Sequence, residues 1–288
     1  MTIRVIYAAA AVQLPLSTEP YDCWRTFDGD VACEFHRTPK GYLVRFPALA
    51  DFVIDLAANE VTCLPVPDVS EAFLGDIYFN QILPLMMTRS GDLVLHASGV
   101  GIDGQAIGFI GATGRGKSTL AASLAKAGYP FLTDDGLILD PAGSGYAVRP
   151  RRPILRLRAD SEAMLYGRTL AGELDPDALK ERVPARPDLP FLEVPTPLAA
   201  LYFLVEPRGV DGPQITRMPA ADTLAELIAH SFILDIGEKP RLRAHFNRLA
   251  QVANAVTCYA LDFPRRYDAL SGVIEAIRRH RTNGNNDL

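Results

Sequence analysis

Residues 105–118 read Gln105-Ala106-Ile107-Gly108-Phe109-Ile110-Gly111-Ala112-Thr113-Gly114-Arg115-Gly116-Lys117-Ser118. An apolar run leads straight into a glycine-rich turn. From Ser118 to Ala127 the chain is then rich in Ala and Leu, with Gly128 where a helix would end and Pro130 behind it. The order is strand, loop, helix, and the loop matches G-x-x-x-x-G-K-[ST] in full. Each residue type has a physical reason. Glycines let backbone N–H groups turn inward around a phosphate without Cβ clashes. The helix that follows points its positive end at the same oxygens. Lys117 can reach the outer phosphates, and the Ser118 hydroxyl can sit on Mg²⁺. The candidate nucleotide-binding residues are Gly111, Ala112, Thr113, Gly114, Arg115, Gly116, Lys117, Ser118 and Thr119, and the expected cofactors are ATP and Mg²⁺.

Upstream, residues 93–100 (Leu-Val-Leu-His-Ala-Ser-Gly-Val) read as one strand, and Asp103-Gly104 is a strong hairpin signal. The loop strand is therefore expected to run antiparallel to its predecessor, unlike an ordinary parallel nucleotide-binding core. His96 on the first strand could contact phosphate or tune a nearby acid, though a strand histidine also serves plain packing. Downstream, residues 130–133 predict a strand ending at Asp134-Asp135. Ligands and catalytic groups gather at such strand ends in open α/β sheets. Adjacent carboxylates repel unless a cation or a proton transfer uses them. Asp134 is the candidate metal ligand with Ser118, and Asp135 the candidate proton acceptor, with Lys117 and His96 beside them. The bland alternative is an Asx-type turn before Gly136.

Beyond the acids, a hairpin is expected around 141–145 and a strand near 154–158. A loop rich in Pro and charge spans about 167–197. Strands near 199–205, 214–218 and 257–261 and helices near 220–231, 239–255 and 267–280 follow, with a frayed tail at 283–288. Arg149, Arg151, Arg152, Arg156 and Arg158 cluster. Arg156 and Arg158 alternate with Leu155 and Leu157, so they share a strand face. They suit phosphates or an acidic substrate, or form a solvated face. Lys180, Glu181, Arg182 and Arg186 could supply a cation from the long loop.

Residues 1–90 read as a small strand-rich lobe and 91–288 as the catalytic domain. Strands are expected at 42–46, 52–56 and 61–66. Asp68-Val69-Ser70-Glu71 has capping-box spacing and opens a helix toward Met87, kinked or ended early by Pro84. The first dozen residues carry Arg4 and lack a basic leader, and predict a strand rather than a signal peptide. A net charge of −5 over 288 residues gives no global field for nucleic acid or anionic membrane. Cys23, Cys33, Cys63 and Cys258 show no metal-ligand spacing. No run approaches the ~18 apolar residues of a membrane span. The expectation is a cytoplasmic protein without nucleic-acid or membrane partners, with a homo-oligomer allowed for.

The block His96-Ala97-Ser98-Gly99-Val100, the loop 111–118, Gly128 and Asp134-Asp135 resembles the catalytic domain of the HPr kinase/phosphorylase family of bacterial serine kinases. With Val148-Arg149-Pro150 and Pro153-Ile154-Leu155-Arg156-Leu157 it looks most like the HPr-kinase-related enzymes of lasso-peptide biosynthesis. The resemblance implies an α/β fold: a P-loop nucleotide-binding core similar to HPr kinase and phosphoenolpyruvate carboxykinase, plus the small N-terminal lobe. It implies serine phosphorylation of a precursor peptide as partner, with Asp135 as general base, Ser118 on Mg²⁺ and His96 as a phosphate contact. Two departures stand out. Thr119 replaces the family's acid after the loop serine. The glycine-rich segment bearing a second metal-binding Glu is missing, with Asp160 or Glu162 as weak substitutes, so phosphorylase activity and action on HPr are not expected. The competing readings are a small-molecule kinase of the shikimate or gluconate type and a nucleotide-gated binding protein without catalysis.

Overall fold

The computed structural model describes residues 3–26, 28–167 and 180–284. The stretch of the long loop at 168–179 and the last residues of the expected tail lie outside them. The chain divides into two compact units, Met1–Met86 and Met87–Leu288.

The first unit carries β1 (Arg4–Tyr7), β2 (Asp22–Arg25), β3 (Val31–Thr38), β4 (Gly41–Phe46), β5 (Ala50–Asp55) and β6 (Glu60–Pro65). They form one sheet in the order β1-β6-β5-β4-β3-β2, with β1 parallel to β6 and the other pairs antiparallel. Three of these strands were read individually from the sequence, and β1 forms within the first dozen residues, where a strand was expected. β2 and β3 stood among punctuating Pro and Gly residues. β3 nevertheless buries Cys33, Phe35 and His36. On the same sheet Arg45 forms a two-pronged pair with Asp51, at 2.8 and 2.7 Å.

The expected helix forms as α1 (Glu71–Ile77), a π-helical turn at Tyr78–Ile82 and α2 (Leu83–Ser90). Its cap is Ser70, whose hydroxyl accepts the Phe73 N–H at 3.2 Å, not Asp68, which has φ +68°. Pro84 neither ends the helix nor stands mid-turn. It falls in the first turn of α2, after the π turn in which Leu83 N–H reaches back to Tyr78 O. The wider turn meets the backbone mismatch that a proline would otherwise cause.

The second unit is a mixed α/β sandwich. Its elements are β7 (Leu93–Leu95), β8 (Ala97–Ile102), β9 (Gln105–Ile110), α3 (Lys117–Lys126), β10 (Phe131–Thr133), β11 (Leu137–Ala142), β12 (Gly145–Arg149), β13 (Ile154–Leu157), α4 (Ala159–Tyr166), β14 (Glu181–Pro184), β15 (Thr196–Leu204), β16 (Gln214–Arg217), α5 (Ala220–Ala229), α6 (Lys239–Ala255), β17 (Thr257–Asp262) and α7 (Leu270–Gly284). The main sheet runs β10-β8-β9-β15-β12-β11-β7, with β17 also on β15 and β16 on β17. Among the described residues β13 pairs with β14 alone.

Period-two alternation sends successive side chains to opposite faces. Ile107, Phe109, Tyr202 and Leu204 join α3 and α7 in one core. Ala106, Ile110, Leu201 and Phe203 join α5 and α6 in the other. Asp103 and Gly104 have φ +50° and +75°, the geometry of a tight hairpin, so β8 and β9 are antiparallel as expected. The stretch 93–100 is not one strand. It breaks at His96: β7 pairs with β11, while β8 pairs with β9 and β10. One ladder cannot serve both sets of partners, so the chain turns a corner there.

Candidate functional site

β9 and β10 both lie antiparallel to β8, one on each side. They are therefore parallel to each other, and their C-terminal ends meet at one edge of the sheet. The glycine-rich loop leaves β9 at that edge and the acid pair leaves β10, while β8 begins between them. The loop needs its glycines. Gly111 has φ +155°, and a Cβ there would stand 3.0 Å from Leu204 O. Gly114 and Gly116 take the left-handed conformation at φ +84° and +92°. Arg115 N–H bonds Ala112 O at 3.2 Å, and the Arg115 guanidinium pairs with Glu206. Gly116 is the N-cap of α3, so no side chain caps that terminus and its leading N–H groups face the loop.

Lys117 is buried, and its ammonium folds onto the loop, donating to Gly111 O at 2.7 Å and Ala112 O at 3.3 Å. Burial pulls its pKa down to about 8, against the opposing pull of Asp135. Asp134 is the hub of the site. Its Oδ1 accepts from Ser98 Oγ at 2.6 Å and from Ser118 Oγ at 2.9 Å, and its Oδ2 accepts the Arg156 N–H at 2.9 Å. Asp135 has φ +57° and is 2 % exposed. It meets Arg156 Nη1 at 3.0 Å and Lys180 Nζ at 3.5 Å. Lys180 Nζ is also 3.5 Å from Ser118 Oγ. The antiparallel pairing of β14 with β13 brings Lys180 here from the far side of the long loop.

The two acids titrate apart. Burial, and then the charge of Asp135, raise Asp134. Burial alone would raise Asp135 as well, but the charges around it, Lys180 first among them, outweigh burial and pull it below the usual carboxylate range. Asp135 is thus held ionised more firmly than Asp134.

His96 sits at the bend between β7 and β8. Its N–H bonds His230 O at 2.7 Å, and its ring meets Phe232 edge-on at 6.2 Å. Burial first, then the Lys117 charge, depress it to about 3, so it is a neutral imidazole and not a cation. His230, at the end of α5, is likewise held down to about 4 by burial and Lys117.

The arginine cluster divides. Arg156 holds both acids. Arg151 is depressed to about 10 by burial, beside Asp135, and its guanidinium occupies the space a Cβ on Gly136 would take. Arg149 belongs elsewhere, on Asp140 and Asp92. Arg158 is exposed and lies just past β13, so it does not share a strand face with Arg156. Thr119 turns to α4, where Thr119 Oγ1, Ser161 Oγ and Tyr267 OH form a chain at 3.1 and 3.0 Å. Asp160 accepts from Tyr267 at 2.9 Å. Among the described residues no group of three or more His, Cys, Asp or Glu side chains is arranged to hold a metal. Sequence reasoning counted Arg151 among the candidate arginines but did not single out Ser98 or His230 as site residues. Ser98 lies two residues after His96 and was legible as part of that strand; His230 carries no local signal.

No protein-family model and no curated protein matches the chain. Among solved structures, the HPr(Ser) kinase/phosphatase from Coxiella burnetii aligns over 67 % of this chain and 98 % of that one, at 15 % identity and a TM-score of 0.36. A likeness at that level transfers no residue role and no activity. No helix among the described residues is long and apolar enough to cross a membrane.

Proposed function

We propose that the protein is an Mg·ATP-dependent kinase that phosphorylates a serine hydroxyl of a peptide, of the kind its sequence resembles in lasso-peptide precursor modification, and that it works in the cytoplasm. The observation that carries this reading is the Ser118–Asp134 contact of 2.9 Å, which joins the end of the glycine-rich loop to the acid pair that follows β10. Phosphates demand donors, a hydroxyl acceptor demands a base, and this edge of the sheet offers both within one set of contacts.

Bound Mg·ATP would supply the phosphoryl group and the divalent charge. The loop N–H groups of 112–118 and Lys117 would hold phosphate oxygens. Ser118 and Asp134 fit a magnesium ion, which takes only one or two protein carboxylates or hydroxyls beside phosphate and water. Asp135 would accept the serine proton on a carboxylate oxygen. Its cationic partners lower its basicity, so Lys180 or Arg156 must turn toward the phosphates as the proton arrives. Those same cations, with Arg151, would neutralise charge that develops in transfer.

The test is incubation of the protein with Mg·ATP and candidate serine peptides, read by mass spectrometry. One added phosphoryl group on serine is expected. Nucleotide binding with no transfer to any peptide would favour a binding protein, and transfer to shikimate-like polyols a small-molecule kinase.

A further inference from the structure

Away from the loop, Thr88–Gly91 at the end of α2, the segment 233–238 and one face of α6 line a half-open cavity of about 120 Å³. A single water needs roughly 10–15 Å³ of such space, so the cavity has room for far more than one. Its lining includes buried polar groups without a hydrogen-bonding partner among the described residues. His245 is 8 % exposed, and neither ring nitrogen has a hydrogen-bonding partner among the described residues. The buried Thr88 hydroxyl is also without one. Native interiors seldom leave such groups unmet, because each gives up its hydration on folding.

The lining also states what would meet them. Burial, then the charge of Arg248, hold His245 down to about 4, so the ring is neutral and offers one donor and one acceptor. The lining carries Arg89, Arg241 and Arg248 with Asp235 and Glu238, three cations to two anions. Glu238 is taken up by Arg89 at 3.1 Å and Arg241 at 2.9 Å, whereas no carboxylate pairs with Arg248 among the described residues. Ile233, Leu234, Leu242 and Ala244 supply apolar wall. We propose that this cavity is a second ligand site, for a small organic carboxylate: its apolar body against the wall, its anionic head shared by Arg248, His245 and Thr88. The proposal does not depend on the kinase reading.

The experiment uses the full-length protein, without nucleotide, with its five histidines labelled with ¹⁵N. The His245 ring signals are assigned by their loss in His245→Gln. Isobutyrate and its uncharged counterpart isobutyramide are titrated at constant ionic strength. The expected result is a saturable shift of the His245 ring nitrogens with isobutyrate, a much weaker response to isobutyramide, and at least tenfold weaker isobutyrate binding in Arg248→Gln. Arg248 is partly exposed, so that variant should fold. No saturable shift with isobutyrate, an equal response to isobutyramide, or unchanged binding in Arg248→Gln would each overturn the proposal.

Discussion

Ser118 Oγ on α3 lies 2.9 Å from Asp134 Oδ1 at the end of β10, and the same oxygen accepts from Ser98 Oγ at 2.6 Å. Three elements that are separate in sequence thus converge on one carboxylate. If this pair holds the divalent ion, Ser118→Ala should raise the Mg²⁺ concentration needed for half-maximal turnover by roughly 10–100-fold, the range for disturbed metal surroundings. Magnesium titration of phosphoryl transfer checks this, and an unchanged midpoint would remove Ser118 from the metal site.

Asp135→Asn should cut turnover by about 10²–10⁴-fold, the usual contribution of a general base, and leave nucleotide affinity nearly intact. Its partner Arg156 also binds Asp134 through the backbone, which holds the local geometry in the variant. Single-turnover kinetics alongside nucleotide titration separates the two effects. Equal transfer by variant and wild type would end the base assignment.

If the loop holds a nucleotide, Lys117 makes that binding pH-dependent. Its pKa is about 8 as the site stands, and phosphates would raise it. Affinity should therefore be flat below pH 8 and fall above it by up to tenfold per pH unit, because binding must then take up a proton. Lys117→Arg should lose that slope. Calorimetric titrations at pH 7, 8 and 9 read the result (roughly one unit either side of the pKa), and a flat profile would contradict it.

His96 and His230 make the second unit acid-sensitive. Their folded pKa values are about 3 and 4, below the ~6.5 of an unfolded histidine. The unfolded chain therefore binds more protons below that pH, and stability should fall as pH drops from about 6.5 toward 4, by at most about 1.4 kcal/mol per unit for each histidine. Urea unfolding between those limits measures it, and His230→Gln should flatten the slope.

Gly111→Ala should damage the loop without touching the acids. The added Cβ meets Leu204 O at 3.0 Å, and φ +155° is strained for any side chain. A loss of roughly 1–3 kcal/mol is expected, with nucleotide binding lost more severely than stability. Thermal melts with and without nucleotide distinguish the two. Full nucleotide-induced stabilisation in the variant would show that the loop tolerates the change.

Much of this site was legible in local sequence because its pieces are local. The glycine-rich loop, the Asp103-Gly104 turn and the helix after Lys117 each follow from the conformational freedom of a few adjacent residues. The loop strand's antiparallel predecessor followed from the turn alone. Where the reading failed, non-local partners decided. Residues 93–100 look like one strand, but pairing with β11 on one side of His96 and with β9 and β10 on the other breaks it. Arg156 and Arg158 alternate correctly for one face, yet the chain leaves β13 after Leu157.

The sequence by itself determined that a glycine-rich loop stands between a strand and a helix, with two acids one strand later, because backbone freedom and helix ends are written in neighbouring residues. Only the tertiary structure decided which groups surround those acids. Asp134 gathers hydroxyls from Ser98 and Ser118, and Asp135 takes Arg156 and Lys180. The reason is physical: strand order sets who lies beside whom, and the charge each acid carries depends on burial and on cations delivered from more than twenty to forty-five residues away, which no local pattern encodes.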